Sequence, residues 1–231
     1  MGSGAPRSRM TYGNYLQLDE LLSLQSGPEG HNPAPCNDEM HFIVVHQAFE
    51  LWFKQVNREL EEALNLLNTS EVKESDIPKI VHHLERCSEI FRLLASQWKV
   101  METLAPQDFL AFRDRLGTSS GFESWQMRTL EMLLGLDTGQ RVGGMDPMAH
   151  NRKLHSEGKL SDDVMAEMER IDSLPSLNDV LSDWLSRTPV NGVSGDETVL
   201  TEYVENHLRS MADHGESVIA HMVKIGHGEE E

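Results

Sequence analysis

Cysteine is scarce in this sequence, since the 231 residues include only Cys36 and Cys87, which lie far apart. Two cysteines are too few for a disulfide scaffold, and a chain of this length can bury a core without one. The scarcity predicts a reducing environment, and we expect a cytoplasmic protein.

Long apolar runs are missing as well, because no stretch approaches the length that spans a bilayer. The opening residues MGSGAPRSRM lack the apolar centre of a signal peptide. We therefore expect no membrane partner and a disordered tail over residues 1–9.

Positive charge is in short supply. The chain has 20 lysines and arginines against 38 aspartates and glutamates, which gives a formal net charge of -18. An acid-rich surface repels phosphate backbones, so we expect no nucleic-acid partner. The acid excess itself is ordinary for a well solvated surface.

Strand signals are also lacking, because no run of alternating β-branched residues is long enough for a confident strand. The apolar residues instead recur at steps of three and four, which is the period of an amphipathic helix. By residue number, the pattern predicts helices over 38–67, 76–101, 106–116, 122–134, 161–172, 176–187 and 197–225. Four of these are long, so the predicted fold class is all-α, arranged as a helical bundle.

The sequence also contains residue types that begin and end helices. Asp76 and Pro78 have the residue types that open a helix, and Gly135 has the type that closes one. Gly143, Gly144 and Pro147 predict a loop. The role of residues 136–195 stays open.

Three features do not fit the apolar pattern of a simple helical bundle. His46 lies inside the stripe of the first long helix, and Arg113 follows Phe109 by one turn. A buried histidine is more often a satisfied core residue than a functional one, and such an arginine is more often ion-paired than a ligand clamp. The Ser119–Gly121 loop offers hydroxyl and N–H groups to an anion, but alone it is just a turn.

The last predicted helix carries His207, His214 and His221 at a spacing of seven. That spacing puts successive rings about 10 Å apart along the axis, too far for two of them to share one metal ion by themselves. One alone can act as an axial ligand, although a solvated row of histidines is the commoner case.

Three ordered segments resemble the tryptophan 2,3-dioxygenase family. They are TYGNYLQLDELLSLQ at 11–25, NDEMHFIVVHQAFELWFKQVNREL at 37–60, and SQWKVMETLAPQDFLAFRDRLGTSSGFESWQMRTLE at 96–131. The likeness covers roughly the first 135 residues in order. It implies an all-α fold of the tryptophan/indoleamine dioxygenase type, in which residues 10–228 form one haem-binding helical domain.

The resemblance also implies roles for individual residues. His46 would act in catalysis by accepting the indole N–H, and Arg113 would hold the substrate carboxylate. The other substrate-binding residues would be Phe42, Phe109, Ser120 and, from a neighbouring subunit, Tyr12, Tyr15 and Leu16. Trp98 and Ser120 would contact the haem. His207 would be the axial iron ligand, with His214 as the second choice.

The implied activity is a haem b-dependent dioxygenase that uses O2 to cleave the indole C2–C3 bond of L-tryptophan to N-formylkynurenine, in a homotetramer or dimer. The sequence departs from the family pattern at Phe109, where tyrosine is usual, and at Glu123, where glutamine is usual. It also lacks the Gly-Thr-Gly-Gly loop that follows the family's haem histidine. An alternative is therefore a relative in specialised metabolism that oxygenates, or mono-oxygenates, a modified tryptophan or another aromatic amino acid.

Two further classes compete with this interpretation. A helical haem carrier or ligand sensor without turnover would need neither His46 nor Arg113. A non-haem metal protein on a four-helix bundle would want two Glu-x-x-His repeats, and the sequence has none.

Overall fold

The structure, a computed structural model, describes residues 10–27, 33–141 and 144–188, together with positions 201, 205 and 209. Every regular element in residues 10–188 that it describes is helical, which confirms the predicted all-α fold class. The α-helices in chain order are α1 (Tyr12–Leu16), α2 (Leu18–Leu21), α3 (Asn37–Leu67), α4 (Ile77–Met101), α5 (Pro106–Phe112), α6 (Trp125–Leu134), α7 (Pro147–Ser156), α8 (Asp162–Asp172) and α9 (Leu177–Arg187).

The two long helices α3 and α4 pack along each other and form the centre of the molecule. Both helices bury apolar residues that recur at steps of three and four, and α6 and α9 complete the core against α3. The core residues are Val45, Phe49, Val56, Leu60, Ala63, Leu64, Leu67, Ile80, Cys87, Ile90, Leu94, Leu130, Leu133, Ile171, Leu177 and Val180. Burying stripes of this length supplies the main driving force for folding.

A second, smaller apolar cluster joins α6, α7 and α8. It consists of Met148, Met165 and Met168, with Trp125 packed against them. Methionine side chains fill irregular gaps because they are unbranched and flexible. This cluster attaches α7 and α8 to α6.

Some helix boundaries differ from the sequence prediction. The helix predicted over 106–116 is α5, which ends at Phe112. Arg113–Leu116 form a 3₁₀ turn instead of a further α-helical turn. The helix predicted over 122–134 is α6, which begins at Trp125. The Ser124 hydroxyl accepts a hydrogen bond from the backbone N–H of Met127 and caps the helix there. Of the helices in residues 10–188 that the structure describes, only α3 and α4 are long, whereas the prediction had four long helices in the whole chain.

The predicted loop around Pro147 is partly wrong, since α7 starts at that proline. The Asp146 carboxylate accepts from the backbone N–H groups of Met148 and Ala149, and proline fits the first turn because it has no N–H to leave unpaired. The Asp-Pro pair was a readable signal for this helix. Gly135, by contrast, closes α6 in the left-handed conformation, as predicted.

The predicted last helix falls mostly on residues that the structure does not describe. Positions 201, 205 and 209 are helical, whereas His207, His214 and His221 lie outside the described residues. None of the helices in the described ranges combines the length and the apolar character that crossing a bilayer requires.

Candidate functional site

One cavity brings several of the predicted site residues together. It has a volume of about 630 Å³ and lies between α3, α4 and the segment that leads into α6. Its lining residues are His46, Phe49, Glu50, Phe53, Phe91, Leu94, Ala95, Trp98, Ser120, Gly121, Phe122, Ser124, Met127 and Arg128. A largely apolar wall with a few polar groups is typical of small-molecule and cofactor sites.

His46 is the histidine in this wall, and the helix backbone sets its tautomer. Its Nδ1 lies 2.8 Å from the carbonyl oxygen of Phe42, one turn earlier in α3. A carbonyl oxygen only accepts, so Nδ1 carries the proton in this bond. In the neutral ring Nε2 then keeps its lone pair and can accept a hydrogen bond.

An aromatic cluster supports His46 from behind. The ring of Phe42 lies 4.0 Å from the His46 ring, between centroids. Phe42 also contacts Phe109 at 5.8 Å and Phe112 at 5.6 Å, which are both residues of α5. These tilted and edge-on contacts are the arrangements that aromatic pairs prefer. They hold α5 against the first turns of α3. Phe42 and Phe109 lie next to the cavity and are not part of its wall.

Arg113 also lies outside the cavity wall. It begins the 3₁₀ turn after α5, and its Nη1 donates to the carbonyl oxygen of Gly117 at 2.9 Å. Gly117 has a φ of 56°, a backbone conformation that glycine adopts without steric cost. Among the described residues this is the only hydrogen bond of Arg113, so its other N–H groups remain available to a ligand.

The loop that carries Ser120 is held by α7 and by the turn before α8. The Nε2 of His150 donates to the carbonyl oxygen of Phe122 at 3.0 Å, and Lys159 pairs with Glu123 at 2.7 Å. The hydrogen bond that Lys159 donates to the Glu123 carboxylate raises the pKa of Lys159 above its usual range. The roles of His150 and Lys159 cannot be predicted from helical periodicity, because their partners lie 28 and 36 residues away in the sequence.

Comparison with known sequences identifies the family. The family model described as tryptophan 2,3-dioxygenase matches residues 3–225. This chain belongs to the tryptophan 2,3-dioxygenase family.

Individual relatives agree with this membership. Over 208 residues the chain is 38% identical to a tryptophan 2,3-dioxygenase of Sorangium cellulosum, which covers 90% of this chain and 50% of that protein. It is 43% identical over 181 residues to a tryptophan 2,3-dioxygenase of Aedes aegypti, with 78% of this chain and 44% of that protein covered. The chain therefore spans about half the length of the curated relatives it matches.

Within this family member, Trp98 lies at an open part of the cavity wall. Its ring packs on Phe49 at 5.1 Å between centroids, yet 54% of the residue is exposed. Tyr12, Tyr15 and Leu16 of α1 are exposed, and the main helix–helix contacts of α1 in the described structure are with α2. The cavity wall does not include them.

A buried charge cluster at the cavity was not found from the sequence. Arg128 is 4% exposed, and its Nη1 pairs with the Glu131 carboxylate at 2.9 Å one turn later in α6. Burial raises the pKa of Glu131 above its usual range, although the positive charges of Arg128 and Arg141 oppose this shift. The Arg-x-x-Glu spacing inside an apolar helix was the available signal.

Outside this cluster, Gln126 ties α6 to α3 at the cavity edge. Its side-chain amide donates to both the carbonyl oxygen and the carboxylate of Glu50, at 2.9 and 2.8 Å. In the part of the chain that the structure describes, no group of three or more His, Cys, Asp or Glu side chains is placed to hold a metal ion.

Proposed function

We propose that this chain forms part of a haem-dependent dioxygenase that cleaves the indole C2–C3 bond of L-tryptophan and yields N-formylkynurenine, with both atoms of O2 entering the product. The observation that carries the proposal is the tautomer of His46, whose free Nε2 suits an indole N–H in an apolar cavity. Relatives named tryptophan 2,3-dioxygenase support the assignment of substrate and reaction.

The residues present fit a haem. The cavity volume of about 630 Å³ is within the range of cofactor sites, and its wall offers the aromatic surface that a flat macrocycle needs. A buried arginine in the same wall suits a macrocycle that carries carboxylates. Trp98 and Ser120 would contact it, and His207, or His214 as second choice, would be its axial ligand.

When bound, the haem supplies the chemistry of O2 that no side chain provides. The side chains of the protein orient the substrate and exclude water from the cavity. His46 needs no strong basicity, because it accepts a hydrogen bond from the indole nitrogen and so fixes how the ring faces the cavity. Phe42 and its aromatic neighbours stabilise the position of His46, and the apolar wall excludes water from the indole ring.

Arg113 would recognise the amino-acid end of the substrate. A guanidinium forms two parallel hydrogen bonds with a carboxylate, which a lysine ammonium cannot imitate. The bond from Arg113 to Gly117 orients the group and leaves its remaining donors free for this purpose.

The test is a spectral titration of the haem-reconstituted full chain with tryptophan and with tryptamine, which lacks the carboxylate. We expect a Soret band that tryptophan perturbs, and we expect Arg113→Lys to weaken tryptophan binding about tenfold or more with unchanged haem content. Tryptamine binding should be weak and insensitive to the substitution. Equal affinities of both proteins for both ligands would contradict the assignment of an amino-acid substrate. A missing Soret band would contradict haem binding.

We also propose that the protein is a homo-oligomer, a tetramer or dimer, in which α1 packs on a neighbouring copy. The exposure of Tyr12 and Tyr15, at 76% and 75%, supports this, because large apolar side chains gain most from a partner surface. A monomer mass by light scattering at working concentration would contradict it. The single domain over residues 10–228, the tail over residues 1–9 and a cytoplasmic location stay predictions.

A further inference from the structure

One N–H of the Arg128 guanidinium, that of Nε, has no acceptor among its described neighbours. Arg128 is 4% exposed, and its Nη1 contacts Glu131 at 2.9 Å and the sulfur of Met145 at 3.7 Å. Its Nε is buried and has no hydrogen-bond partner among the described residues. A buried cationic N–H without an acceptor is costly, so native structures usually supply one.

The charges around Arg128 do not balance either. The Glu131 carboxylate interacts with two guanidinium groups, those of Arg128 and Arg141, and the Nε of Arg141 is also buried with no partner in the described part of the chain. Among the residues that the structure describes, this cluster sets one carboxylate against two guanidinium groups, which is an excess of positive charge. In a site of low dielectric constant such an excess attracts an anion strongly.

Of the charged groups in this cluster, Arg128 lies at the cavity wall. Arg128 is one of the cavity-lining residues, while Glu131 and Arg141 are not. The carboxylate in the same wall, Glu50, is already bonded to Gln126 and does not reach Arg128 as an ion-pair partner. The cavity therefore presents one cation in a mostly apolar wall, which is the chemistry that recognises a flat apolar molecule with a carboxylate on its edge.

We propose that Arg128 is a carboxylate-binding residue of this cavity, held in place by Glu131 and supported by the positive charge of Arg141. This inference rests on the proposed function, under which the carboxylate has two possible sources: a propionate side chain of the porphyrin, or the carboxylate of the amino-acid substrate. Arg113 lies outside the cavity wall, so the two arginines would serve different positions.

The porphyrin arm of the test compares haem with its dimethyl ester, whose propionates carry no charge. The full chain is loaded with each, and the rate of transfer to an excess of a haem-scavenging globin is measured. If Arg128 binds a propionate, wild-type protein should lose the ester roughly 10- to 100-fold faster than haem, and Arg128→Gln should abolish that ratio. Arg92→Gln, a change at an exposed arginine of α4, is the matched control and should keep it.

The substrate arm uses the haem-loaded proteins and titrates them with tryptophan and tryptamine. If the carboxylate belongs to the substrate, wild-type protein should lose haem and its dimethyl ester at similar rates, so that the acid-to-ester ratio of these rates is near one. Arg128→Gln should then remove the preference for tryptophan over tryptamine. Arg128→Lys should recover part of whichever preference is lost, since it keeps the charge without the planar geometry.

The outcomes separate the inference from the proposed function. Near-equal loss of haem and ester by wild-type protein, together with an unchanged preference for tryptophan in the variant, would overturn the role of Arg128 alone. Failure of wild-type protein to take up either porphyrin would overturn the haem-dependent function and the inference with it. Because the acid-to-ester ratio is measured first on wild-type protein, a variant that does not fold cannot mask a negative result.

Discussion

Glu59 is the residue whose removal should most clearly weaken the contact between α3 and α4. It is 3% exposed, and its carboxylate accepts hydrogen bonds from His83 Nδ1 and Arg86 Nη1 of α4, both at 2.6 Å. Gln55 donates to it from within α3. Replacing Glu59 by glutamine keeps the shape but turns one acceptor oxygen into a donor that faces other donors.

The magnitude follows from these contacts. A hydrogen bond to a charged group stabilises by about 1.5–3 kcal/mol, but Arg86 is 44% exposed and water replaces part of its bond. We therefore expect Glu59→Gln to lower the free energy of unfolding by about 2 kcal/mol at neutral pH, or roughly 4–8 °C in Tm for a chain of this size. Glu62→Gln, at an exposed position of the same helix, should change stability by less than about 0.5 kcal/mol.

The pH dependence gives a second, independent check. Burial raises the pKa of Glu59, but the hydrogen bonds from His83, Arg86 and Gln55 outweigh burial and hold the pKa below its usual value of 4.5. A lowered folded-state pKa contributes stability above the unfolded pKa, and this contribution is lost as the pH falls through the folded value. The difference between wild-type protein and Glu59→Gln should therefore be full at pH 7 and shrink below about pH 4.5.

The assay is urea unfolding followed by far-UV circular dichroism at pH 7 and at several acidic values. A deficit below about 0.5 kcal/mol at pH 7 would refute the argument, because it would mean that water satisfies His83 and Arg86 equally well. A deficit that stays constant into the acid range would refute the electrostatic part alone and leave a packing effect.

Two further predictions concern close contacts and burial. Gly135→Ala should destabilise the protein by about 1–3 kcal/mol more than Gly158→Ala in the same unfolding assay, because both glycines have positive φ but only at Gly135 would an added Cβ clash with the Ser176 side chain. Equal losses would show that the φ cost alone matters. A thiol reagent should label Cys36 quickly and Cys87 slowly until the chain unfolds, because burial, together with the charge of Glu59, raises the pKa of the Cys87 thiol to about 11. Rapid labelling of both thiols would contradict the burial of Cys87.

The ordered motifs of the sequence were enough to predict the family, and the family comparison confirms it. The helical period also predicted which face of α3 is buried, because that face depends only on spacing along one element. The same holds for Gly135, whose left-handed cap is a local property of a helix end. Such features need no knowledge of distant neighbours.

The tertiary structure alone decided which of these residues meet. His46, Trp98 and Ser120 come from three different segments, and only the packing of α3 on α4 and α6 places them around one cavity. It also put Arg113 next to that cavity instead of in its wall. A spacing rule describes one helix and cannot report the approach of another.

The same limit explains the residues that sequence analysis missed. His150 and Lys159 acquire a role only because α7 and α8 fold back on the loop before α6. Arg128 has an ordinary helical position in the sequence, and its significance depends on burial, on the single carboxylate that it shares with Arg141, and on the cavity beside it. Helix identity and facing are local and were therefore determined by the sequence. Burial and charge balance are sums over the whole neighbourhood, so only the folded arrangement decided them.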